Sequence, residues 1–364
     1  MSINISKVEA RVLTISEKTK WTYVHVETDD GISGIGEATI FGREDELTVA
    51  AENFGGQLQG HPISAIGQLV ADTEGLAIGE RAVVSALEHA SWDIKAKREE
   101  KSTFELLGTQ QRNSIPIYAN FNRRTVDRSL EGFAESARDA VRAGYQTIKI
   151  APFDGLTPDM GNEGDSLFDA GIDRIAATRD AIGSEIDIMV DCHWRLSLER
   201  TETLLVKAQD LGLYWVECPL PEDPEDTRNL EALKPIKDEI GGRLAGAEKG
   251  TNADYFLKLM AAGVYDVIMP DVKYTGGLAP TLRIAELALD QGVDFSPHNP
   301  SGPVCHIASL HVAAVVPNLL ILEHQFDESP LFNSIFPDSV PLIQNGHSPL
   351  PIGSGLGVNV PVSF

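Results

Sequence analysis

Positive charge is scarce in this chain. Lysine and arginine number 30 against 54 aspartates and glutamates, which leaves a net charge of −24. A surface of that sign argues against nucleic acid or an anionic membrane as a partner. An anionic substrate must therefore be drawn in locally, by a metal ion and a few cations. Long apolar runs are also missing, so no segment reads as a bilayer span. The N-terminal MSINISKVEARV has no apolar stretch of the signal-peptide kind. Cysteine is rare: Cys192, Cys218 and Cys305 are an odd number in apolar, strand-end contexts, and they read as reduced thiols of a cytoplasmic protein. No low-complexity tract stands out.

What is present suits a large enzyme. Hydrophobic residues make up 42% of 364 positions, enough for a sizeable core and more than one ordinary domain. Residues 1–113 read as an α+β domain. The runs VEARVLTIS and TYVHVETDDGISGIGEA read as strands, the second with a hairpin signal at Asp29-Asp30-Gly31, and ERAVVSALEHASWDIKAKREE has helical spacing. Over residues 114–326 strands and helices alternate. IPIYANF, TIKIAP, IDIMVD, LYWVEC, RLAGAE, DVIMPD, VDFSPH and LLILEH give eight strand candidates. Such alternation predicts an α/β fold, a TIM-type (β/α) barrel of seven or eight strands. Residues 327–364, rich in Pro, Gly and Ser, are too short to fold alone and are expected to pack back on the N-terminal domain.

Acidic residues end three consecutive runs: Asp191, Glu217 and Glu248. The spacing fits one strand, one helix and two short loops per step, so a barrel brings all three carboxylates to one rim. Converging carboxylates repel one another unless a cation lies between them, and hard oxygens without Cys or His favour Mg²⁺ over Zn²⁺. Other strand ends are polar too: Tyr118 and Asn120, Lys149, His193, Asp271, His298 and Glu323. One strand-end Asp is commonly a helix cap. Independent caps do not account for acids on three successive strands followed by an Asp and a His on the next two.

On these motifs the sequence resembles the enolase superfamily, in particular its mandelate racemase-like subgroup. VHVETDDGISGIGEA and ALEHASWDIKAK resemble its capping domain, which the C-terminal tail would complete. MVDCHW, WVECPLP and LAGAE resemble its three metal-ligand regions, and IMPDVKYTGGL and FSPHNPSGPV the segments carrying an Asp–His dyad. The resemblance implies one Mg²⁺ per subunit, removal of the proton next to a carboxylate through an enediolate, and a homo-oligomer.

Within the subgroup, racemases end the second barrel strand Lys-x-Lys, the second lysine being a base. Here the run is Ile148-Lys149-Ile150-Ala151, so Lys149 matches the first lysine and Ala151 stands where the base would be. The catalytic lysine of lactonising relatives corresponds to Asp271. What remains resembles the galactonate dehydratase-type acid-sugar dehydratases, with Asp191-Cys192-His193 on the third strand and Arg195 nearby. The resemblance then implies His298 as base, oriented by Asp271; His193 as acid; Lys149 at the substrate carboxylate; and a protonated Glu323 hydrogen-bonding that carboxylate. Period-2 geometry puts His193 beside Asp191, and Lys273 beside Asp271 if that strand continues. Asn120, Asn122, Arg124, Arg195, Lys273 and Trp21 are candidates for contact with substrate. The short loop before Trp21 suggests a small pocket. His306 and His324 read as structural. An epimerase, racemase or cycloisomerase using the same metal is the alternative activity.

Overall fold

Two β systems divide the chain, and the computed structural model describes residues 3–16, 19–73 and 75–361. The first is an antiparallel meander of β1 (Ile5–Thr14), β2 (Lys20–Thr28) and β3 (Ser33–Glu37). Gly31, at φ +85°, closes the β2–β3 hairpin where Asp29-Asp30-Gly31 predicts a turn. Helices α1 (Glu44–Leu58), α2 (Ala65–Ala71), α3 (Ile78–Arg98) and α4 (Thr103–Leu107) follow. β3 lies directly on α3. A Cβ at Gly34 or Gly36 would come within 2.2 Å or 1.9 Å of the carbonyl oxygens of Ala90 or Ala86, so only glycine permits that approach. Of the short loop before Trp21, Glu17 and Lys18 lie outside the described residues.

The second system is the barrel. Its strands and helices alternate as β4 (Ser114–Asn120), α5 (Leu130–Arg142), β5 (Thr147–Ile150), α6 (Asp165–Ile182), β6 (Asp187–Asp191), α7 (Leu198–Asp210), β7 (Leu213–Glu217) and α8 (Arg228–Ile240). They continue as β8 (Leu244–Gly246), α9 (Ala253–Ala261), β9 (Val267–Ile268), α10 (Leu278–Asp290), β10 (Asp294–Phe295), α11 (Pro303–Val315) and β11 (Leu322–Gln325). The eight runs expected from sequence are the eight parallel strands. They pair in chain order from β4 to β10, and β11 returns beside β4. A parallel bridge between Phe295 and Leu319 closes the seam, with Leu320 N–H donating to Phe295 O at 2.8 Å. Helix starts are fixed locally: Ser129, Ser197 and Asn252 each accept a backbone N–H three residues on.

Side chains sort by strand parity. Tyr118, Met189, Trp215, Ala245, Val267, Met269 and Ile321 fill the lumen, while Ile117, Ile148, Val190, Val216 and Leu244 face the helices. A third apolar cluster, including Trp21, Tyr23, Ile35, Val272, Leu278 and Val304, joins the meander to the barrel. Around it, buried carboxylates of the N-terminal domain cap barrel helices. Glu37 accepts from Gly302 N and Cys305 N at the start of α11, and Glu88 from Leu278 N and Ala279 N at the start of α10.

The chain ends with α12 (Leu331–Ser334) and β12 (His347–Pro349). β12 pairs antiparallel with the start of β4, an element the sequence pattern does not announce. Beyond it, Leu356 N–H donates to Asp93 and Gly355 N–H to Lys101 O, which places this stretch against α3 and α4. Among the described residues no helix is long and apolar enough to cross a membrane.

Candidate active site

The three predicted metal acids meet. Ligand oxygens of Asp191, Glu217 and Glu248 lie within 4.8 Å of one another, and all three residues are buried. β6 ends at Asp191 and β7 at Glu217, in register with each other. Glu248 comes two residues after β8, past Ala247 at φ +70°. Trp215 Nε1 donates to Glu217 Oε2 at 3.0 Å. Sequence reading passed over Trp215, although its two-residue offset from Glu217 was the available signal.

Lys149 is the nearest fixed cation. Its Nζ lies 2.6 Å from Glu217 Oε1 and 3.0 Å from Glu323 Oε1, with the Tyr118 ring 5.4 Å away. Burial would lower its pKa, but Glu217 and Glu323 hold it well above the usual lysine range. Glu217 is pushed well up, first by burial and then by Asp191, Glu248 and Glu323 against the pull of Lys149. Glu248 Oε2 is buried without a hydrogen-bond partner. A crowd of hard oxygens with one orphaned acceptor suits a small divalent cation, and Asp191, Glu217 and Glu248 are the residues that would hold Mg²⁺.

The histidines touch different corners of this triad. His298 Nδ1 pairs with Asp271 Oδ2 at 2.9 Å, and its Nε2 lies 3.4 Å from Glu248 Oε2. His193 Nε2 lies 2.8 Å from Asp191 Oδ2. Burial would lower both imidazole pKa values. Glu248, Glu323 and Asp271 raise that of His298, and Asp191 raises that of His193.

Several expectations need correction. His193 does not reach Asp191 by strand alternation. β6 stops at Asp191, and a turn with His193 at φ +48° and Trp194 at φ +57° brings the ring back. Likewise β9 stops at Ile268, and Asp271–Lys273 is a turn; Lys273 Nζ still lies 3.1 Å from Asp271 Oδ2 and also donates to Ser301 Oγ at 2.5 Å. Glu323 was expected to be protonated. Burial pushes its pKa up, but Lys149, His298 and hydrogen bonds from Asn299 N and Asn120 Nδ2 outweigh that and hold it below the usual carboxylate value. Asn299, which sequence reading missed, follows His298 directly.

The candidates for substrate contact divide. Asn120 joins the site through Glu323. Asn122 donates its backbone N–H to Asn120 and accepts from Arg128 at 3.1 Å. Arg124 is engaged by Asp139 and Asp327 instead. Trp21 is 1% exposed and packed edge-on against Phe332 and Tyr23. Arg195 Nη1 donates to Phe153 O at 2.9 Å at the edge of the site. His306 and His324 are buried, their ring centroids 5.0 Å apart.

A family model for the mandelate racemase/muconate lactonizing enzyme N-terminal domain matches residues 5–108, and an enolase C-terminal domain-like model matches residues 132–362. The chain belongs to the enolase superfamily. Within the superfamily it is similar to a D-xylonate dehydratase of Haloferax volcanii, 27% identical over 355 residues that cover 93% of this chain and 83% of the relative. A D-galactonate dehydratase of Xanthomonas euvesicatoria is 29% identical over 86% of this chain and 80% of its own. A D-gluconate dehydratase of Thermoproteus tenax is 31% identical over 76% of this chain, which there spans about half, 54%, of the relative. Among solved structures, a mandelate racemase/muconate lactonizing enzyme-like protein from Rubrobacter xylanophilus superposes with a TM-score of 0.86 at 27% identity, covering 99% of this chain and 96% of that one.

Proposed function

We propose that this superfamily member removes water from a sugar acid, giving a 2-keto-3-deoxy acid. The observation that carries the reading is the His298–Asp271 pair, its free Nε2 directed at one corner of the acid triad while His193 stands at another. The dehydratase names of the relatives support it. Mg²⁺ held by Asp191, Glu217 and Glu248 would supply positive charge against the negative charge that grows on the substrate carboxylate.

The residues divide the rest. His298 Nε2 takes the proton from the carbon next to the carboxylate. Asp271 fixes the tautomer with the proton on Nδ1 and stabilises the imidazolium that forms. Lys149, held in place by Glu217 and Glu323, sets a buried positive charge beside the enediolate. His193 protonates the β-hydroxyl as its C–O bond breaks, because hydroxide is a poor leaving group and general acid help is worth about 10²- to 10⁴-fold. The resulting enol takes a proton at the β-carbon and becomes the 2-keto acid.

The test follows α-proton exchange in D₂O beside product formation. His298→Asn is expected to abolish both. His193→Asn is expected to reduce product more than exchange, because the enediolate still forms and regains its proton. Equal loss of exchange in both variants would favour a two-base epimerase, each histidine serving one face of the same carbon. Screening aldonic, aldaric and uronic acids for 2-keto acid formation supplies the substrate.

A further inference from the structure

Left-handed backbone concentrates at the metal acids. Among the described residues eight that are not glycine have a positive φ, and four of them flank the triad. His193 at +48° and Trp194 at +57° follow Asp191, Cys218 at +43° follows Glu217, and Ala247 at +70° precedes Glu248. Three of the other four are Asp327, Asp338 and Asn345, residue types that enter this region readily. Tryptophan, cysteine and alanine do not, so their surroundings must hold them there. Backbone bonds do part of this. Trp194 N–H donates to Cys218 O at 2.7 Å and Cys218 N–H to Ala245 O at 2.9 Å, which carries the pairing of β6, β7 and β8 past their ends.

Ala247 N–H leaves that ladder and turns to a side chain. It donates to Glu222, at 3.1 Å from Oε1 and 3.3 Å from Oε2. The Tyr265 hydroxyl donates to the same Oε1, and Trp194 adds a lesser side-chain contact. One carboxylate, from the loop after β7, thus touches the turn after β6, the end of β8 and the residue two before β9. The backbone is cut to fit it. A Cβ at Gly246, the last residue of β8, would come within 2.5 Å of Glu222 Oε1 and would also strike the Tyr265 ring.

Charge pairing does not explain this carboxylate. Its donors among the described residues are a backbone amide, a phenol and an indole, all neutral. The side chain is half-buried, and the loss of water around it pushes its pKa up, with Glu248 adding to the shift. What the group offers is acceptance on both oxygens, so it takes all three donors at once. A glutamine would present a donor of its own to one of them. Glu222 also lies outside the set of oxygens that converge as a metal site.

We infer that Glu222 is a positioning residue for the metal ion: it holds Ala247 in left-handed conformation and so aims the carboxylate of Glu248, one residue on, into the triad. The inference rests on the reading of Asp191, Glu217 and Glu248 as the Mg²⁺ ligands.

The test titrates Mg²⁺ into the intact, metal-free chain by calorimetry. Each variant is titrated well below its melting temperature in EDTA, so a loss of global stability alone does not move the affinity. Glu222→Gln is expected to weaken Mg²⁺ binding by about 10-fold, the low end of the cost of losing a contact behind a metal ligand. Removing a negative charge near the ion would act in the same direction, so a second variant decides between the two causes. Ala247→Gly added to Glu222→Gln is expected to recover at least about 3-fold, because glycine takes a positive φ without help and restores no charge. If Glu222→Gln does not fold, Tyr265→Phe, which keeps the charge, takes its place, with a loss and a recovery expected in the same directions. A wild type that binds no Mg²⁺ overturns the ligand assignment itself. Wild-type binding with unchanged affinity in Glu222→Gln overturns the inference and leaves the ligand assignment standing. A loss that Ala247→Gly does not reverse at all overturns positioning in favour of charge alone.

Discussion

Replacing Lys149 with methionine tests the electrostatics of the site directly. The substitution keeps most of the volume and removes one positive charge lying 2.6 Å from Glu217 and 3.0 Å from Glu323. Both acids are completely buried, so they are left facing Asp191 and Glu248 with no fixed cation between them. Breaking a buried pair by removing one partner costs about 3–5 kcal/mol. The unfolding entropy of 364 residues is about 0.8 kcal/mol per kelvin, so Tm is expected to fall by about 4–7 °C in EDTA at pH 8. The sign with pH follows from the protonation states. Without Lys149 the folded-state pKa values of Glu217 and Glu323 rise, so the penalty is full at high pH and is lost as pH falls through those values. Mg²⁺ is expected to raise Tm more in the variant than in the wild type, since it then supplies the missing charge. The assay is a scan of Tm against pH, with EDTA or with Mg²⁺. A Lys149→Met protein as stable as the wild type in EDTA at pH 8 would refute the account of the site as an under-neutralised cluster of buried carboxylates.

Four other outcomes are expected. Glu217→Gln is expected to weaken Mg²⁺ binding strongly in a calorimetric titration, and unchanged affinity would remove Glu217 from the metal set. Asp271→Asn is expected to act as a milder His298→Asn, because it disturbs the tautomer across a 2.9 Å bond but leaves the imidazole in place; a loss as complete as that of His298→Asn would contradict a purely orienting role. His311, whose pKa burial pushes down to about 4, is neutral in the fold, so its contribution is present above pH 6.5 and lost as pH falls toward 4. His311→Gln is therefore expected to cost stability at pH 7.5 by a margin that shrinks by pH 4.5, and a constant margin in thermal melts would contradict it. Light scattering at micromolar concentration is expected to return a multiple of the 39.4 kDa chain mass, and a monomer would count against the homo-oligomer expected from the family.

What sequence conveys and what it hides in this chain follow one physical divide. A carboxylate ending an apolar run is legible because nothing else in that run explains it, and Asp191, Glu217, Glu248, Asp271 and Glu323 all stood out in that way. The eight strands were legible for the same reason, each being a short apolar run between helical spacings. What failed were inferences that required a strand to continue. His193 and Lys273 reach their partners through turns with no period, in one case through two successive residues in left-handed conformation. The groups that oppose protonation of Glu323 were not legible either, because neighbouring acids can be counted in a sequence, whereas the distance of Lys149 and the hydrogen bonds from Asn120 and Asn299 cannot. Contacts between distant segments were least legible. Glu37 and Glu88 look like ordinary acids of a strand and a helix, and only the fold sets them on the first turns of α11 and α10. Those two helices follow the loops that carry His298 and Asp271. The N-terminal domain therefore does more than cover the barrel: its buried carboxylates cap the starts of the two helices that follow the loops carrying Asp271 and His298.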